Sequence, residues 1–139
     1  MSRRTRLAAT VGALALVPAL GLTGCAGADC PAVGWSDELT VQLTGEGDIA
    51  SLELCFRGHC MSDEDLDGSP LADVQATDHG DGEWQFDMGV WTPDAVLVRG
   101  LSADGSVENE YPIQPEWNEG DEVAPGCGGP ATARADLAM

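Results

Sequence analysis

Lysine is absent from this 139-residue chain. Six Arg stand against 24 Asp and Glu, for a formal charge of −18. A nucleic-acid binder neutralises phosphates with Lys and Arg, so this balance excludes one. Aromatic residues are scarce, at 5%, and only two His occur. With His59 and His79 alone, a histidine-based catalytic triad would need partners from distant segments. Gly-x-Ser-x-Gly, His-Glu-x-x-His and a phosphate-cradling glycine loop are all missing, so the chain reads as non-enzymatic. Long apolar runs are missing too. The stretch from Leu7 to Leu22 is sixteen residues long and is broken by Gly12, Pro18 and Gly21. A helix needs about 20 apolar residues to cross a bilayer. Sustained helical periodicity is lacking elsewhere, and the length allows one small domain.

What is present begins with an address. Arg3, Arg4 and Arg6 precede the apolar stretch, which closes with Leu22-Thr23-Gly24-Cys25. An aliphatic residue, two small residues and a Cys directly after such a stretch resemble the lipobox of bacterial lipoprotein precursors. The resemblance covers residues 1–25. It implies cleavage before Cys25, diacylglyceryl transfer to its thiol and fatty (palmitate-type) acylation at the new N-terminus. Two or more acyl chains hold a protein on a membrane stably where one does not. The expected organisation is a cleaved signal over 1–24, a lipidated tether over 25–34 and a folded domain over 35–139. All 24 acids lie beyond the cut with only Arg57, Arg99 and Arg134, a net −21 over 115 residues. Anionic lipids repel such a domain, so the lipid is its anchor.

Val, Ile, Leu and Phe number 21 of those 115 residues, a proportion that with this charge approaches the composition of disordered chains. Alternating apolar runs and cysteines argue for a fold instead. With Cys25 lipidated, Cys30, Cys55, Cys60 and Cys127 form an even set in an exported chain, which points to disulfides. Three pairings exist. The favoured one closes Cys55 to Cys60 locally, through a loop that Gly58 lets turn tightly, and leaves Cys30 for Cys127. The long bridge would remove about 4 kcal/mol of unfolded-state entropy in the chain-entropy model. A rival reading makes Cys55, His59 and Cys60 metal ligands, against the oxidising compartment and without zinc-knuckle spacing.

Period-2 alternation marks Leu39–Leu43, Leu52–Phe56 and Trp84–Met88, with a weaker strand at Asp73–Thr77. The turn cluster Asp78–Gly82 predicts a hairpin between the last two. Asp104-Gly105 predicts another, between Ala95–Leu101 and Val107–Tyr111, with Pro112 and Pro115 stopping the latter. A last weak strand is expected over Ala131–Leu137. Six or seven short strands predict an all-β, antiparallel β-sandwich of immunoglobulin-like or fibronectin-like architecture. The Cys set and the close Cys127-Gly-Gly-Pro130 are similar to those of small actinobacterial envelope lipoproteins, a likeness that carries no activity.

Two segments are candidates for ligand contact. Asp63, Asp65 and Asp67, followed by Gly68, resemble the opening of an EF-hand-type calcium loop, in which alternate carboxylates converge on a hard cation. Pro70 and Val74 stand where that loop places an apolar residue and a bidentate Glu, so bound calcium would be weakly held. Among the tryptophans Trp84 reads as core. Trp117, flanked by Glu116 and Asn118, suits either stacking on a sugar ring or covering an open end of the sandwich. The function these features predict is that of an exported lipoprotein on the outer face of the bacterial plasma membrane. It acts as a binding or structural module, with envelope polymer or another exported protein as partner. Calcium binding and an enzyme without a recognisable signature are the alternatives.

Overall fold

The computed structural model describes residue 30 and residues 34–45 and 47–139; the lipobox and Cys25 lie outside the described residues. β1 (Glu38–Thr44) shows the rule on which the fold is built. Leu39, Val41 and Leu43 are buried while Glu38, Thr40 and Gln42 face outward. A strand with alternating side chains presents one apolar face, and that face must be covered by a second layer. The chain supplies β2 (Ser51–Phe56), β3 (His59–Cys60), β4 (Gln75–Gly80), β5 (Glu83–Asp87), β6 (Val96–Leu101), β7 (Val107–Ile113), β8 (Asn118–Glu119) and β9 (Ala131–Ala138). They form a five-stranded sheet, β4-β5-β1-β9-β8, and a four-stranded sheet, β3-β2-β6-β7. One core joins both: Leu39, Val41, Phe86 and Ala133 from the first, Leu52, Leu54, Val96, Val98 and Ile113 from the second.

Both expected hairpins form, β4 with β5 and β6 with β7. Asp81 and Gly82 turn the first with φ of 52° and 76°, the double positive φ of a type I′ turn. Gly82 is required there twice over, because a Cβ would lie 2.6 Å from the Leu43 carbonyl oxygen. Both expected disulfides form as well, Cys55–Cys60 and Cys30–Cys127, with Cα separations of 3.9 and 5.3 Å. The sulfurs of Cys55 and Cys60 are therefore spent on each other, which overturns the metal reading of Cys55, His59 and Cys60.

Four details differ from the sequence reading. The sheets are not wholly antiparallel, since β1 and β9 pair in parallel from Glu38↔Thr132 to Thr44↔Ala138. Cys30 precedes β1 and Cys127 precedes β9, so the long bridge joins the segments that lead into these two strands. Asp73 belongs to a 3-10 turn over Pro70–Asp73, capped by the Ser69 hydroxyl, that drives Leu71 into the core; β4 starts only at Gln75. Pro112 does not stop β7. It sits opposite Leu97 on an edge strand, where a missing N–H faces no neighbour. The short β3 and β8 carried no alternating signal.

Candidate functional site

The two sheets differ on their outer faces. The five-stranded sheet turns a polar face outward: the Gln85 amide donates to Glu38 at 2.6 Å, and Arg134 pairs with Glu83 and Asp136. The four-stranded sheet does not. With Leu54 and Val98 paired on the core side, Cys55 and Leu97 pair on the outer side, and Leu97 in turn faces Pro112. Leu97 is half-buried while its neighbours Val96 and Val98 are buried.

These outer residues floor a cavity of about 660 Å³, lined also by the β2–β3 hairpin and by Arg99. Its lining is Cys55, Phe56, Gly58, Cys60, Ala95, Val96, Leu97, Pro112 and Ile113, with polar groups only from Arg57, Arg99 and Gln114. No acidic side chain among the described residues lines it, in a chain with 24 acids. Two of the three Arg beyond residue 25 do.

The two Arg are held differently. Arg99 is structural. Its Nε donates to Glu110 at 2.7 Å, and its Nη1 donates to Cys60 Sγ at 3.0 Å and lies 3.9 Å from Glu53. Glu53 is buried beneath this group and accepts from the Ser62 hydroxyl at 2.6 Å. Arg99 thus answers the carboxylates on the sheet, which would be costly to leave unpaired. Arg57 has no carboxylate within 4.0 Å among the described residues. Its guanidinium lies over the Phe56 ring, 4.9 Å from the centroid, and Phe56 meets Trp91 edge-on at 5.0 Å. An aromatic wall thus carries an exposed, unpaired cation at the hairpin tip.

The backbone marks the same residue. Arg57 and Gly58 turn the hairpin with φ of 52° and 86°, the pattern Asp81 and Gly82 use. Asn, Asp or Gly normally fills the first position of such a turn, and a bulky residue there is strained. Arg57 departs from that preference where its side chain reaches the cavity.

The residues singled out from the sequence lie elsewhere. Asp63 is turned back onto its own hairpin: Oδ2 accepts from the Cys60 amide at 2.9 Å and sits 3.6 Å from His59 Nδ1. Asp65 and Asp67 are exposed. Among the described residues, three ligand-type side chains converge only at Glu53, Cys55 and Cys60, where the disulfide leaves one donor. The acidic loop is not gathered into a cage in this arrangement. Trp117 is half-buried against the core, and its indole N–H donates to the Pro93 carbonyl at 2.9 Å. That anchorage is what a cover over the sandwich end requires. The cavity itself escaped the sequence reading, although Arg57 beside two cysteines and Phe56, in so acidic a chain, was the available signal. Comparison with protein-family models, curated proteins and solved structures finds no match to this chain.

Proposed function

We propose that this chain is an exported, lipid-anchored and non-catalytic binding module, displayed on the outer face of a bacterial plasma membrane through acylated Cys25. Its binding site is the cavity over the four-stranded sheet. The observation that carries this reading is the exclusion of acid from that cavity in a strongly acidic chain. Apolar clefts of about 300–1,000 Å³ with a few convergent polar groups are the usual form of small-ligand sites. The two-sheet scaffold suits the role, because rigid strands hold the lining in place, and we carry an immunoglobulin-like or fibronectin-like relation as part of the proposal. The lipobox resemblance supports the anchor.

A ligand-independent experiment tests the site. A diazirine amino acid replaces Leu97 in the full-length protein in living cells, and is irradiated beside a control protein carrying it at exposed Val107. The reading expects a defined adduct at position 97 that is absent at 107. Equal or absent labelling at the two positions would remove the cavity as the site.

A further inference from the structure

Resting on that reading of the cavity, we infer that its ligand is a single-chain amphiphile ending in a carboxylate, the chemistry of a free fatty acid. The apolar floor of Leu97, Pro112 and the Cys55–Cys60 disulfide suits a hydrocarbon chain, which needs no hydrogen bonds. At the hairpin end the unpaired Arg57 supplies one planar fork of donors, matched to one carboxylate. Arg99, the other Arg in the lining, is already held by Glu110 and Glu53, so the site offers one anion position and not two.

A peptide is disfavoured. It would have to satisfy its backbone on this sheet, yet the floor is made of side chains and the β7 edge carries Pro112, which has no N–H to offer. The surrounding acids repel anions in bulk. They therefore select for a ligand whose apolar body drives entry and whose head finds Arg57, the cavity-lining Arg without a carboxylate partner among the described residues. Arg57 at a positive φ follows: the turn gives up its preferred residue to hold a guanidinium at the mouth.

The test uses full-length, anchored protein in its own membranes with a clickable, photoreactive dodecanoate. Two matched probes end in an alcohol and in a phosphate. Wild type is compared with Arg57→Asn, which keeps the hairpin because Asn-Gly is the preferred pair of this turn, and with Leu97→Asp, which puts an acid on the floor. Limited proteolysis reports folding of each variant. The expected result is carboxylate labelling mapped to residues 55–60 and 95–99, reduced roughly tenfold by Arg57→Asn and abolished by Leu97→Asp. Labelling by the alcohol is weak and indifferent to Arg57. Carboxylate labelling that is unchanged in folded Arg57→Asn, or that maps elsewhere, overturns the inference, as does stronger labelling by the phosphate probe. An adduct at position 97 in living cells combined with any of these results leaves the cavity a site and removes only the fatty acid. Failure of both experiments removes the cavity as well.

Discussion

Single side chains set the local geometry through hydrogen bonds that can be switched off one at a time. Asp104, at the β6–β7 turn, accepts from the Ser102 and Ser106 hydroxyls and the Ser106 amide, which hold its carboxyl at about 2, below the usual 3.8. A pKa lowered by folding stabilises the fold above the unfolded value and loses that contribution as pH falls through the folded one. The melting temperature of wild type should therefore exceed that of Asp104→Asn by a constant margin from pH 7 to about 4. The margin should shrink between pH 4 and 2. Asp87 is shifted the same way by Ser36 and the Gly89 amide. The Asp104-Gly105 turn was legible because turn chemistry is local. The role of Arg57 was not, because a positive φ and an absent partner are properties of the folded hairpin.

Strands and turns follow from pattern where a segment has one buried face. β1 and β6 alternate in sequence and in burial alike. β4 is exposed along its whole length, so nothing in its composition marks its start, and the 3-10 turn before it shifts that start two residues along. The parallel pairing of β1 with β9 joins strands about ninety residues apart and leaves no local pattern, although the Cys30–Cys127 bridge joins the segments that lead into them. A buried carboxylate secures the junction. Asp37, just before β1, accepts from the Ala131 amide at the start of β9 at 2.7 Å and exchanges backbone hydrogen bonds with the segment 88–89. Asp37→Ala strands that amide in the interior and should cost about 2 kcal/mol in chemical denaturation. An unchanged midpoint would show that the amide finds another partner.

At the scale of the molecule, a thin core and a large negative charge leave stability dependent on covalent closure. Cys30–Cys127 spans 97 positions, so replacing both residues with Ser should lower unfolding free energy by about 4 kcal/mol. The Cys55–Cys60 bridge closes a far shorter loop, so replacing both residues with Ser should cost less, yet it should deform the cavity wall. The charge also explains the character of the cavity. On a surface built from acid, an acid-free apolar hollow carrying an exposed Arg is the place where a ligand gains most by leaving water. Hydrogen–deuterium exchange of the full-length protein, with and without dodecanoate, tests this directly. The account predicts slowed exchange over residues 55–60 and 95–99, with β1 and β9 unchanged. Protection confined to Trp117 or to the loop of Asp63, Asp65 and Asp67, or no protection at all, would contradict it.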